Sequence, residues 1–293
     1  MNWLDTVAER RFGVALLVIG VIAFACTVYA VRQAWRRAMD LRDRRRPTSD
    51  TPLYARTAPG PHAVALGVGA LRAVAHREPV DHVGYTRPRR RARALLAEDA
   101  ESEQHARTTV PRALRALLGG EAEVPAHGIA LVEEALRQRN NVGPELWPHA
   151  LEDFATTRGL PYAERQQLLA LVVDIGRAED RLRREGLLGP HEIVPSLLAC
   201  HWGEGVHIVR TALRAEWLTW PEAQEYLTRA DELAPRWYPT WSALLAAQLL
   251  PALLNDDVGE LSWRLPAARR LLTDPSSPVR KPLNGGFGLA VPR

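Results

Sequence analysis

The sequence predicts an all-α protein in which a single transmembrane helix near the N-terminus is followed by a multi-helix cytoplasmic domain. Residues 12–31 contain no charged side chain, and apolar residues recur at helical spacing from about Val110 onward. Few runs show the alternation of β-branched residues that is typical of strands. The predicted regions are an anchor with a basic segment (1–46), a linker and poorly defined region (47–109), a helical domain (110–275) and an irregular tail (276–293).

The uncharged run begins at Phe12 and ends at Val31. At about 1.5 Å of rise per residue its length is about 30 Å, which matches the hydrocarbon core of a bilayer. It lacks the polar face that a buried helix of a globular domain normally has. Two alternatives are a cleaved signal peptide with processing near Ala30 and a lipoprotein signal before Cys26. The arginines that follow the run at once disfavour the first, and the bulky Phe24 disfavours the second.

Arginine is more abundant after the apolar run than before it, and this asymmetry predicts the topology. Arg10 and Arg11 precede the run, whereas Arg32 and further arginines follow it. Because the flank richer in arginine stays in the cytoplasm, the C-terminal domain is predicted to lie on the cytoplasmic side of the cell (inner) membrane. The basic flank either sets only this topology, which we favour, or also contacts anionic lipid headgroups. The candidate lipid contacts are Arg36, Arg37, Arg42, Arg44, Arg45 and Arg46.

Residues 47–109 combine a linker with a region of mixed character. Residues 47–62 are rich in proline and glycine, which predicts a linker. Residues 63–75 are apolar but too short to cross a bilayer, so a short core helix is expected there. A second arginine run then comprises Arg87, Arg89, Arg90, Arg91 and Arg93. Its charge suits nucleic-acid or lipid phosphates, and the alternative is a solvated connector. Since Tyr85 is the one aromatic residue beside it, no nucleic-acid partner is expected.

The helical domain is predicted from a series of amphipathic segments. The clearest one covers residues 161–184, where Pro161 suits the first helical position and Gly186 the C-terminal stop. Its predicted buried stripe comprises Leu168, Leu171, Val172, Ile175 and Leu182. Further helices are predicted at residues 123–139, 146–157, 193–217, 221–233, 240–254 and 262–272.

An ordered series of motifs lies between residues 187 and 283. It reads LLGP at 187–190, SLLA at 196–199, CHWGEGVHIVRTALRAEWLTWPEAQEYL at 200–227, YPTWSALLAAQLL at 238–250 and LLTDPSSPVRKPL at 271–283. In this order and spacing, the C-terminal part of the chain resembles the bacterial family called domain of unknown function 1266. Family members carry an aspartate and an arginine where this chain has His201 and Glu204, whereas Arg210 and Trp241 follow the family pattern. The resemblance implies membership and a shared fold but no reaction, since the family has no established activity.

His201, Glu204 and His207 form the best candidate metal site in the sequence. They stand at i, i+3 and i+6, so the two histidines lie about 120° apart around a helix axis. The zinc-peptidase spacing, with histidines at i and i+4, is absent, and no second Glu-x-x-His unit accompanies residues 204–207 as a di-iron bundle requires. We therefore expect no metal or other cofactor. His207 is expected to line a core or an interface, and Glu204 to pair with an arginine.

The cysteine content does not support cysteine chemistry either. Cys26 and Cys200 are too few for a disulfide framework or a cysteine-built zinc site. Cys200 and His201 are adjacent, and adjacent residues of a helix point about 100° apart, so they do not form a nucleophile–base pair.

These observations predict a membrane-anchored, non-catalytic interaction or regulatory module whose partners are membrane lipids and an unidentified protein. One alternative is a metal-dependent enzyme that uses Glu204 and His207. The other is a tetratricopeptide-like scaffold that binds peptides. It is suggested by a match to the second helix of such a repeat at Ala223, Leu227, Ala230 and Pro235.

Overall fold

The computed structural model describes residues 62–76, 78–83, 88–98, 100–119 and 129–275, together with Ser277, Val279 and Leu283. Within these residues the chain forms eleven helices and no strand, which confirms the all-α prediction for this part of the chain. The helices are α1 (Ala63–Val68), α2 (Ala70–Ala75), α3 (Arg89–Leu96), α4 (Glu103–Leu118), α5 (Ala130–Val142), α6 (Trp147–Thr157), α7 (Tyr162–Arg184), α8 (Leu198–Ala215), α9 (Trp220–Trp237), α10 (Trp241–Leu254) and α11 (Val258–Thr273).

The predicted membrane anchor lies outside the described residues, and so do the candidate lipid-contacting arginines between residues 36 and 46. In the part of the chain that the structure does describe, none of the helices has the length and apolar character needed to span a membrane. The transmembrane helix at residues 12–31 therefore stays a prediction.

The folded domain starts earlier than the predicted boundary at residue 110. Helices α1, α2 and α3 belong to it, and α4 already begins at Glu103. Helices α1 and α2 have six residues each, which is too short for helical periodicity to be recognised, yet most of their side chains are buried. Residues 63–75, where one short core helix is expected, thus form two short helices that are stabilised by burial rather than by length.

Helix ends that depend on local signals agree closely with the predicted ones. Helix α7 begins directly after Pro161, and Gly186 follows its C-terminus with a φ of 69°, a conformation that glycine adopts without strain. Leu168, Ile175 and Leu182 are buried as predicted. By contrast, the predicted helix at 193–217 is shortened to α8, because residues 192–196 form no secondary structure.

Helix α8 lies at the centre of the domain. It packs against α1, α2, α3, α4, α9 and α10. Trp202, Val206, Val209 and Ala212 are fully buried along it, and so is the side chain of Arg210, which donates to the carbonyl of Pro79 over 2.6 Å. Such a helix is surrounded on most sides, so its neighbours must approach closely from several directions.

Glycines permit this close approach. A Cβ atom at Gly205 would lie 2.6 Å from Cγ of Leu118 in α4, and one at Gly203 would lie 2.6 Å from Nε2 of Gln248 in α10. These distances are shorter than real contacts of a Cβ atom, so a larger residue at either position would force α8 or the facing side chain to shift. Gln248 uses the space beside Gly203 to donate two hydrogen bonds from Nε2, at 2.9 Å to the carbonyl of Val68 and at 3.0 Å to that of Ala199.

Helix α1 is held by a carboxylate from a distant helix. Asp231 of α9 accepts a 2.6 Å hydrogen bond from the backbone N–H of Ala65 and lies 2.8 Å from Nδ1 of His62, the residue that precedes α1. His62 has a φ of 64°, which turns the chain into the helix. An acceptor placed at an N-terminus satisfies donors that the helix itself leaves unpaired. This contact joins two parts of the chain that are 166 residues apart.

The segment between α7 and α8 is fixed by a buried ion pair. Arg139 of α5 binds Glu179 of α7 through two hydrogen bonds of 3.0 and 2.9 Å, and both side chains are almost fully buried. Val194 completes the arrangement, since its N–H donates to Glu179 and its carbonyl accepts from Arg139. The guanidinium also lies 4.9 Å from the ring centroid of Trp147. The pair therefore provides hydrogen-bond partners for the backbone of Val194, which belongs to no helix.

The packing of α9 does not favour the tetratricopeptide alternative. In a stack of such repeats, α9 would pack on both of its neighbours in sequence, α8 and α10. Instead its main contacts are with α1 and α8, and the small residues Ala223 and Ala230 are buried there.

We predict that Gly205→Ala lowers the free energy of unfolding by about 1–3 kcal/mol, because the added methyl group overpacks against Leu118. Gly176→Ala in α7 is the matched control, since a Cβ atom there would meet nothing within 4 Å. The control should gain about 0.5–1 kcal/mol from helix propensity. Urea unfolding followed by circular dichroism measures both changes. A Gly205→Ala protein as stable as the parent would contradict the close contact between α8 and α4.

We also predict that Arg139→Met destabilises the fold by about 3–5 kcal/mol, because it leaves the Glu179 carboxylate buried without its main counter-ion. Arg137→Met on the same helix removes the exposed pair with Glu134 and should cost less than about 1 kcal/mol. Equal losses in the two variants, measured by urea unfolding, would show that the buried pair does not stabilise the segment around Val194.

Candidate functional site

Glu204 is engaged with a neighbouring helix. Its carboxylate lies 2.7 Å from Nη2 of Arg72 on α2, and both side chains are about one third exposed, each at 35%. This agrees with the expected pairing of Glu204 with an arginine. The pair connects α2 to α8 close to the surface, where an ion pair contributes at most about 1 kcal/mol.

His207 lies one turn further along the same contact between α2 and α8. Its ring stacks on the ring of His76, with centroids 4.6 Å apart and planes only 8° from parallel. His207 thus lines a helix–helix interface, as the sequence suggests. Burial lowers the pKa of His201, the third member of the predicted set. Within the described residues, no group of three or more His, Cys, Asp or Glu side chains is arranged to hold a metal ion.

Cys200 precedes this set and is also engaged. Its Sγ donates to the carbonyl of Ala247 in α10 over 3.2 Å, and burial raises the pKa of the thiol to about 12. The nucleophilic form of cysteine is the thiolate, which is therefore almost absent near neutral pH. The arrangement indicates a structural cysteine that fastens α8 to α10.

The N-terminus of α8 carries a buried carboxylate that the sequence did not indicate. Glu133 of α5 accepts two hydrogen bonds of 2.6 Å, one from the hydroxyl of Ser196 and one from the N–H of Leu197. Ser196 in turn accepts from the N–H of Leu198. A carboxylate at this end of a helix is favoured by the helix dipole. Ser196 belongs to the SLLA motif, but nothing in the sequence around Glu133 pointed to a partner 63 residues away.

Tyr238 supports the same helix end. Its hydroxyl donates to the carbonyl of Ser196 over 2.7 Å and accepts from the N–H of Ala199 over 3.0 Å. The ring is fully buried and meets Trp202 edge-on, with centroids 5.7 Å apart. Desolvation raises the pKa of the phenol well above its usual value, so it stays protonated and able to donate.

A third carboxylate, Glu192, fixes the start of the segment that leads into α8. It accepts hydrogen bonds of 2.7 Å from the N–H of Gly189 and from the hydroxyl of Thr240. Thr240 also caps the N-terminus of α10 by accepting from the N–H of Ala243. Burial raises the pKa of Glu192, but the hydrogen bonds from Thr240, Gly189 and Ser242 outweigh it, so the net pKa is lowered. Glu192 therefore stays ionised.

The second arginine run meets the other end of α8. Nε of Arg93 donates to the carbonyl of Ala215, the last residue of α8, over 3.2 Å. Arg89 lies 2.5 Å from the carboxylate of Glu216. A cation at a helix C-terminus is favoured by the dipole, so part of this run has a structural role. Arg87 lies outside the described residues.

We predict that Glu133 makes the fold less stable as the pH rises. Desolvation raises the pKa of Glu133, and this outweighs the hydrogen bonds from Leu197 and Ser196, which lower it. The folded state therefore binds this proton more tightly than the unfolded chain does. Its contribution to stability is complete below the ordinary pKa of 4.5 and is lost as the pH rises through the raised folded value.

Glu133→Gln tests this pH dependence, since the amide keeps the size of the side chain and cannot ionise. The difference in unfolding free energy between the parent and the variant, measured by urea unfolding from about pH 4 to about pH 8, should move in favour of the variant. A difference that is constant with pH would contradict the raised pKa.

Comparison with known proteins identifies the family. A family model described as a protein of unknown function (DUF1266) matches residues 84–282, a range that includes α3 to α11. Comparison with curated proteins and with solved structures found no match. The resemblance seen in the C-terminal motifs is thereby confirmed, and the match also covers the arginine run, α4, α5 and α6. Since the matched residues make up more than half of the sequence, this chain belongs to the DUF1266 family.

Proposed function

We propose that this protein is a non-catalytic helical module that is tethered to the membrane and acts by binding other molecules. One observation carries the proposal. The side chains around α8 that are best suited to chemistry are used instead to hold helices together.

The contacts of three such residues support this interpretation. Glu204 neutralises Arg72, His207 stacks on His76, and the thiol of Cys200 is bound to a backbone carbonyl with its pKa raised to about 12. A catalytic base or nucleophile needs a substrate within hydrogen-bonding reach and a pKa near the working pH. The Cys200 thiol does not meet the second condition, and Glu204 and His207 are already engaged with neighbouring side chains.

The tether rests on the sequence. Residues 12–31 are uncharged over a length that matches a bilayer, and arginines are concentrated on their C-terminal side. This supports a single-pass protein of the cell membrane with the helical domain in the cytoplasm. The domain would then work close to the lipid surface, where its partners are membrane lipids and a membrane-associated protein.

We predict that Val18→Arg combined with Ile22→Arg releases the chain from the membrane. Each arginine near the centre of a transmembrane helix costs about 2.5–3.5 kcal/mol, so two should prevent insertion. The measurement is the fraction of chain that stays in the membrane pellet after alkaline carbonate extraction. Val18→Leu with Ile22→Leu is the matched control and should stay in the pellet. Extraction of the unsubstituted chain by carbonate would contradict the tether.

Metal analysis of the purified full-length chain tests the non-catalytic part of the proposal. We expect no stoichiometric zinc or iron in the parent protein. Stoichiometric metal that is lost on His207→Ala, while the circular-dichroism spectrum is unchanged, would favour a metal-dependent enzyme that uses Glu204 and His207 instead.

A further inference from the structure

A groove of about 490 Å³ lies between α3 and the N-terminus of α4. Its volume falls within the range of small-molecule sites, about 300–1,000 Å³. The groove is lined by Arg89, Arg90, Arg93, Ala94, Ala97 and Glu103. The small alanines leave the space open, and the arginines supply its charge.

The three arginines differ in how firmly they are held. Arg93 is fixed through Nε by the carbonyl of Ala215, and its Nη1 lies 3.4 Å from the carboxylate of Glu103. Arg89 pairs with Glu216, but both side chains are roughly half exposed, and such a pair is weak enough to exchange for a stronger anion. Arg90 is exposed and has no ion pair or hydrogen bond with any residue that the structure describes. The groove therefore combines one anchored guanidinium, one exchangeable guanidinium and one that has no partner among the residues that the structure describes.

The remaining wall of the groove is the N-terminus of α4. Glu103 is the first residue of this sixteen-residue helix, and Ser102 caps the helix by accepting from the N–H of His105. The helix dipole adds partial positive charge at this end. The Glu103 carboxylate, 3.4 Å from Arg93, is the one acidic group of the lining. The lining carries three guanidinium groups and one carboxylate, and Glu216 places a second carboxylate beside Arg89, so one positive charge is in excess.

We propose that this groove binds a phosphate group carried by a small molecule or a lipid headgroup. Guanidinium groups bind phosphate oxygens bidentately, and they do so most strongly when several converge. The proposal does not depend on the membrane tether, because the groove is formed entirely by α3 and α4. It names the same chemistry for two sources, a soluble phosphomonoester and an anionic lipid such as phosphatidic acid.

The experiment uses the full-length chain in a non-ionic detergent and measures binding by isothermal titration calorimetry. The probes are inorganic phosphate and short-chain phosphatidic acid, and short-chain phosphatidylcholine is the zwitterionic control. Arg90→Gln should weaken binding of the anionic probe about tenfold, because it removes one charge-assisted hydrogen-bonding group. Arg184→Gln, which removes an exposed charge from α7, should leave binding within about twofold.

The outcomes separate the sources. Binding of both anionic probes with this sensitivity to Arg90→Gln supports a general phosphate site, and binding of phosphatidic acid alone supports a headgroup site. Equal weakening by the two variants, equal binding of phosphatidylcholine, or no binding of either anionic probe would overturn the proposal. Oligonucleotide binding that is sensitive to Arg90→Gln, without binding of the small probes, would also overturn it in favour of nucleic acid.

Discussion

The close approach of α8 to its neighbours is the constraint on which the rest of the domain depends. Without Cβ atoms at Gly203 and Gly205, α4 and α10 can lie directly against the helix backbone. The side chain of Gln248 then reaches two backbone carbonyls from different helices. Because interiors are packed as densely as organic crystals, displacing α8 by even one methyl group would be felt by each of the helices around it.

Buried carboxylates stabilise the non-helical segment that leads into α8 at the centre of the domain. Residues 192–196 make no ladder or helix of their own, so their polar backbone groups need other partners. Between residues 189 and 197, Glu192 accepts from the N–H of Gly189, Glu179 from that of Val194 and Glu133 from that of Leu197. Glu133 lies on α5, Glu179 on α7 and Glu192 between α7 and α8, so three separate parts of the chain hold this segment in place.

Local features of the sequence predicted much of this fold, and its long-range contacts escaped prediction. Apolar periodicity and the stop at Gly186 located α7, and the same reasoning located most helices after residue 146. The roles of Glu133 and Asp231 escaped, because their partners lie 63 and 166 residues away and no local pattern marks them. The sequence predicts one short core helix at residues 63–75, and its division into α1 and α2 escaped prediction because six residues cannot display a period of 3.6 convincingly.

The hydrogen bonds of Asp231 also show that the folded domain begins before the first residue matched by the family model. The family match starts at residue 84, whereas Asp231 holds residues 62–65, and Gln248 binds the carbonyl of Val68. A chain shortened to the matched residues would lose these partners of Asp231 and Gln248 and would expose the surfaces of α8 and α9 on which α1 packs. The stretch before residue 84 therefore completes the packing of the domain in this chain, although it lies outside the matched residues.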